Sequence, residues 1–188
     1  MLKLDLSADV ARTTAYLSQT ARKRVPSAVA KALTRTAYDA RDAVRAVMPQ
    51  RFTIRRPWVV QGVGVTPANP RTLSAEVWSR DRVMALQETG GVKTGKLAIP
   101  MGRMAAKAKT QVIPKSQWPR AMLAKKGVFV RRGAVFERKG KAIQALYLLR
   151  RQQKVEPRFG MADTVRSVAL REYQRQMERA LREELTKG

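Results

Sequence analysis

Apolar residues fall into a helical stripe near the N-terminus, short alternating runs in the middle, and a second helical stripe at the C-terminus. Met1-Leu-Lys-Leu-Asp-Leu alternates and reads as a short strand. Residues 7–24 read as a helix. Ser7 caps it, Asp9 suits its first turn, and Val10, Thr14, Leu17 and Ala21 recur on one face. Arg22-Lys-Arg24 closes it where the helix dipole favours cations. Pro26 then begins a second helix, because its fixed φ suits a first turn. Here Val29, Leu33, Ala37, Ala40, Val44 and Val47 follow three- and four-residue steps, with Lys31, Arg35, Asp39, Asp42 and Arg45 opposite. Pro49 ends it, giving a rod of about 33 Å at 1.5 Å per residue. Its alanines keep the rod thin enough to lie close to a sheet or another helix.

Beyond Pro49 the period changes. Residues 51–58, Arg-Phe-Thr-Ile-Arg-Arg-Pro-Trp, interleave aromatic and basic side chains. Stacking on nucleic acid uses such a composition. The preferred reading is a connector in which Phe52, Ile54 and Trp58 anchor in the core, Arg55 and Arg56 face water, and a helical turn follows Pro57. Val63 and Val65, the Pro67–Pro70 turn and Leu73–Trp78 form a strand pair. A short helix over 81–88 is broken at Gly90-Gly91, and Lys96–Ile99 is a strand closed by Pro100. Residues 101–127 are basic, carry two prolines and show no clear period, so they are expected to project as a loop or to order only on binding. A hairpin follows around Arg131-Arg-Gly133, then a strand over 142–149. The last helix spans about 162–185, with Val165, Val168, Ala169, Tyr173, Met177, Ala180, Leu181 and Leu185 as its stripe. The predicted class is α+β: long N- and C-terminal amphipathic helices on a small, mainly antiparallel sheet, with an extended basic loop or arm. The expected organisation is a single domain over 1–188 with a basic insertion at about 101–127.

Composition narrows the chemistry. The 188 residues, 44% hydrophobic, suffice for one core of Val, Leu, Ala and Met. No apolar run approaches a membrane span and the start lacks a signal-peptide core, so no membrane association is expected. The chain has no cysteine and no histidine. Zinc sites of the usual kind, Ser-His-Asp triads and Cys-His dyads are therefore excluded. Asp39 and Asp42, one turn apart, could form a carboxylate pair, but solvated charges share that spacing. No enzyme activity, metal or cofactor is expected.

Charge changes the picture most. Between Thr89 and Val155 stand seventeen Lys or Arg and one acid, Glu137, which is +16 of a formal net charge of +25. Self-repulsion makes such a field a burden on the compact state, so it points to a polyanion or an acidic partner. The candidate contact residues are Lys93, Lys96, Arg103, Lys107, Lys109, Lys115, Lys125, Lys126, Arg131 and Arg132. Three readings stay open: phosphate contact without sequence readout, docking on acidic neighbouring subunits, or plain solvation of a loop.

Four local features carry a resemblance. They are Val25-Pro-Ser-Ala-Val-Ala-Lys-Ala-Leu33, Phe52-Thr-Ile-Arg-Arg56, Leu86-Gln-Glu-Thr-Gly-Gly91 and Pro157-Arg-Phe-Gly-Met-Ala162. With the order of elements, they make the chain resemble the minor tail protein Z and tail-completion (neck) family of long-tailed bacteriophages. The resemblance implies a structural assembly protein of the virion tail or neck, put together in the cytoplasm of the bacterial host. It implies a homo-oligomeric ring, of six subunits in that family, at the head-proximal end of the tail. Its partners would be the tail tube or tail terminator protein, the head connector protein and genomic DNA in the lumen. No residue set is transferred by the resemblance. The alternative function is a sequence-nonspecific nucleic-acid-binding protein, which lacks a helix-turn-helix or similar reading motif here.

Overall fold

The computed structural model describes residues 2–7 and 19–186, with side chains from residue 22 onward. Most of the helix expected over 7–24 lies outside the described residues. The fold is α+β and divides into two compact units, residues 1–89 with 157–188, and residues 90–156. The segment expected as an insertion at 101–127 is therefore the middle of a longer excursion.

The first unit is built on two long helices, α1 (Gln19–Arg51) and α6 (Met161–Leu185). Residues 19–24 belong to α1, which runs through Pro26 rather than starting there. Proline's φ is helical at any position. What it removes is the bond back to Arg22 and the steric freedom of that turn, and the packed turns that follow hold the rod together. At the other end Pro49 lies inside the helix, and the Phe52 amide still reaches the Met48 carbonyl at 2.9 Å.

Val29, Leu33, Ala37, Ala40, Val44 and Met48 form the buried stripe of α1, with Met48 rather than Val47 as its last member. They join Val165 and Val168 of α6 and the inner face of a three-stranded antiparallel sheet ordered β1-β3-β2. Those strands are β1 (Leu2–Ser7), β2 (Val63–Thr66) and β3 (Ser74–Ser79). Burial alternates along β3, with Ala75 and Val77 facing the core. Gly64 pairs with Trp78, and a Cβ there would sit 2.5 Å from the indole. The ring lies where only glycine leaves room. A second contact uses small residues: Ala28 and Ala32 meet Ala180, all fully buried, so the two helices approach closely.

The polar face of α1 is not merely solvated. Lys31 pairs with Glu184, Arg35 with Glu183 at 2.7 Å, and Gln176 donates to Asp39 at 2.8 Å. Asp42 pairs with Arg41 at 2.8 Å, so the Asp39–Asp42 couple is divided between separate partners. Among the described residues, no three groups of metal-ligating type cluster, and no helix is long and apolar enough to cross a membrane.

Two short helices flank the β2–β3 pair in the chain, α2 (Trp58–Gln61) before β2 and α3 (Arg82–Thr89) after β3. Phe52 packs on the core, edge-to-face with Phe159 at 5.9 Å between centroids. Trp58, expected as an anchor, is 54% exposed, because α2 is a single turn that turns its first residue outward and packs Val59 and Val60 on the core. Two of the quoted local features meet here. Glu88 accepts the first two amides of α6, from Met161 at 2.8 Å and Ala162 at 2.9 Å. A carboxylate there satisfies orphan donors and complements the helix dipole. The Arg158 and Phe159 amides both donate to the Gln87 carbonyl, at 2.8 and 2.9 Å. Gly160, at φ +59, supplies the left-handed residue before α6. Arg51 donates to the Phe159 carbonyl and occupies the space a Cβ at 160 would need.

The second unit is a four-stranded antiparallel sheet ordered β4-β7-β6-β5. Its strands are β4 (Gly91–Pro100), β5 (Val128–Arg131), β6 (Ala134–Lys139) and β7 (Ala142–Val155). Residues 101–127 depart from the expected loop. They form α4 (Gly102–Thr110), a 3-10 turn (Lys115–Gln117) and α5 (Pro119–Leu123). Met104 and Met122 are nearly fully buried with Val135, Leu146 and Tyr147 in a small separate core. Each short helix sends one methionine inward, and an unbranched thioether fills such an irregular gap.

Candidate functional site

The chemistry that stands out lies in residues 90–156. This unit holds seventeen Lys or Arg against Glu137 and Glu156, whereas the rest of the chain holds twenty-two against twelve. Its buried core is small and apolar, and most of the cations face outward. Arg103 pairs with Glu137 at 2.6 Å, and Lys139 reaches the same carboxylate at 3.9 Å. These are the unit's ion pairs among the described residues.

The ten predicted residues are spread over several surfaces. Arg103, Lys107 and Lys125 surround a polar pocket of about 340 Å³ above Met104 and Met122, in which Lys107 donates to Gln117 at 2.8 Å. Arg131 and Arg132 sit at the β5–β6 turn, Arg132 with φ +46. Lys93 lies on β4, and Lys109, Lys115 and Lys126 stand singly on the surface. Lys96 belongs to a different site.

That site is a groove of about 740 Å³. One wall is the paired face of β4 and β7, where Ala98 stands opposite Leu149 and Pro100 opposite Tyr147. The other wall is Ile113, Trp118 and Pro119. The Trp118 indole N–H donates to the Ile113 carbonyl at 3.0 Å, and the Tyr147 hydroxyl donates to the Gln117 carbonyl at 2.6 Å, which ties the two walls together. Burial raises the Tyr147 pKa, so the hydroxyl stays a donor through neutral pH. Trp118 is nonetheless 51% exposed. Lys96, Arg120, Arg150 and Arg151 rim the groove, and no carboxylate lines it.

Sequence reasoning took Lys96 but missed Arg120, Arg150, Arg151 and Trp118. Arg150-Arg151 was visible as the end of a strand, but its pairing with β4 was not. Trp118-Pro-Arg120 carried an aromatic beside a cation, a signal hidden by treating the segment as irregular. Beyond the groove, β4 and β7 continue as a two-stranded ribbon exposed at every position from 91 to 96 and from 150 to 154. It carries Lys93, Lys96, Arg150, Arg151 and Lys154.

Fold and site together describe an α+β chain with a helix-paired body and an acid-poor cationic unit. The chain belongs to a family described as a family of unknown function, DUF6441, which it matches over residues 1–137. No curated protein and no solved structure matches the chain.

Proposed function

We propose that this chain is a structural assembly protein, a tail-completion or neck component of a long-tailed bacteriophage. In this reading it oligomerises, as a ring of about six subunits in the family it resembles, and joins tail to head connector in the virion. The observation that carries the reading is the cationic unit itself. It has its own apolar core and a surface of cations with almost no internal carboxylates to meet. A field of this kind finds its compensation on another molecule, either DNA in a lumen or an acidic neighbouring subunit.

Light scattering and native mass spectrometry on the purified chain, alone and mixed with tail tubes, test it. The expected result is a closed oligomer in one or both conditions. A chain that stays monomeric in both overturns the reading.

The exposed β4–β7 ribbon favours one further reading, a sequence-nonspecific nucleic-acid-binding protein. A two-stranded ribbon fits a DNA groove, and its lysines and arginines would contact phosphates. This reading expects the isolated chain to bind naked duplex DNA, with affinity falling steeply as salt rises through counterion release.

A further inference from the structure

The groove of the second unit has a composition that its cationic surroundings do not explain. Solvated cations need no apolar slot, and although Ile113, Tyr147 and Leu149 also serve the small core, Trp118 and Pro119 do not belong to it. Yet here Trp118 stands half exposed over a wall of Ala98, Leu149 and Pro100, held in place by the hydrogen bonds from its own indole and from Tyr147. Tryptophan and arginine in a preformed pocket are the residues that dominate protein–protein binding energy. A fixed wall also lowers the ordering cost of a partner that enters.

We propose that this groove docks an acidic segment of a different protein, which seats bulky apolar side chains against Trp118 and places carboxylates on Lys96, Arg120, Arg150 and Arg151. The assignment rests on the assembly reading and names the chemistry of its partner. The rim fixes the sign of the charge, since four cations and no acid line the slot. The cationic unit of a second copy offers this rim only Glu137, already paired with Arg103, and Glu156, so in the assembly reading copies of the chain meet through other faces. The walls argue against a nucleobase. An unstacked base carries donors and acceptors along its edges, and aliphatic walls leave them unpaired. An apolar side chain has no such groups to satisfy.

The test uses the full chain and three fluorescent probes of equal charge. One is a short polyglutamate peptide with a central Leu-Phe pair, one the same peptide with Ser-Ser at the centre, and one a single-stranded oligothymidine. The Leu-Phe peptide is expected to bind about tenfold tighter than the Ser-Ser peptide. The preference should vanish in Trp118→Ala and persist in Trp118→Phe. The double change Arg120→Ser with Arg151→Ser should weaken both peptides while leaving a preference for Leu-Phe. If Trp118→Ala fails to fold, the two-peptide comparison on the wild-type chain and the arginine variant decide the matter. Equal binding of the two peptides overturns the groove assignment. So does oligothymidine binding tighter than either peptide with loss in Trp118→Ala, which would make Trp118 a base-stacking platform. Either result leaves the assembly reading standing, because that is decided by the oligomeric state of the chain.

Discussion

The two units handle charge in opposite ways although one chain encodes both. In the helix-paired unit the carboxylates of α6 meet cations: Glu183 meets Arg35 and Arg179, Glu184 meets Lys31, and Glu172 meets Arg171 and Arg175. Carboxylates there are met locally, and the Lys31–Glu184 and Arg35–Glu183 pairs reinforce the α1–α6 pairing. Residues 90–156 keep one carboxylate, Glu137, in contact with cations and leave the other cations of the unit to solvent or to partners. Fewer buried side chains must hold this unit against its own repulsion. The contrast teaches that net charge says little about fold until its distribution is set beside the core that carries it.

The contrast breaks most visibly by truncating each core in turn. Leu33, 2% exposed, and Leu146, fully buried, are matched probes. Each change to Ala is expected to cost about 2–5 kcal/mol. Hydrogen exchange should show the loss of protection confined to residues 22–89 and 157–186 for Leu33→Ala, and to 90–156 for Leu146→Ala. Loosening that spreads evenly over the chain in either variant would show one cooperative body instead of two.

Glu88→Ala probes the point where the chain leaves and rejoins the first unit. Losing the carboxylate strands two helix amides, and a cap of this kind is worth about 0.5–2 kcal/mol. The effect should appear as faster exchange of the Met161 and Ala162 amides and a lower midpoint in urea. An unchanged midpoint would mean that Gln87 and the Arg51 contact suffice to hold the junction.

Replacing Lys107, Lys109, Lys125 and Lys126 together by Ser should cost little, under about 0.5 kcal/mol per exposed site. Only Lys107 gives up a described hydrogen bond, to Gln117. The melting temperature should therefore hold. In contrast, the slope of log affinity for a polyanion against log salt should flatten. A large fall in stability would mean that these lysines support the small core.

The smallest effect concerns acid. The hydrogen bond from Arg35, aided by Arg179, holds the Glu183 carboxyl below the usual glutamate range. A lowered folded-state pKa gives a contribution that is present above the unfolded value, about pH 4.3, and is lost as pH falls through the folded one. Stability of the wild-type chain should thus slope downward below about pH 4.3. Glu183→Gln should soften that slope, as read by urea unfolding at successive pH values, and a parallel slope in the variant would discount the pair.

Much of the first unit was legible in the sequence. The stripes of α1 and α6, the β2–β3 pair around the Pro67–Pro70 turn and the strand at the N-terminus all follow from period and turn chemistry. Pro26 misled because its φ is as helical inside a rod as at its start. In the second unit the β5–β6 hairpin was legible and 101–127 was not. A nine-residue helix with one inward methionine, Met104, gives too few repeats to show a period, and Pro114 and Pro119 look like breaks although one precedes a 3-10 turn and the other opens α5. The groove was hidden for a different reason. Its two walls come from β4 with β7 and from residues 113–120, and sequence order does not reveal that strand register and the Tyr147 hydrogen bond to Gln117 bring them together.

Glu88 and Gln87 hold the chain where it returns at 158–162, and Gly91 stands opposite Val155 as soon as the excursion begins. Departure and return are thus neighbours, and a short bridge from Thr89 to Pro157 spans what sixty-seven residues now span. The cationic portion therefore enters and leaves the α1–α6 body at one point, so a chain with that bridge in place of residues 90–156 is expected to keep the body's topology, as read by hydrogen exchange of α1 and α6.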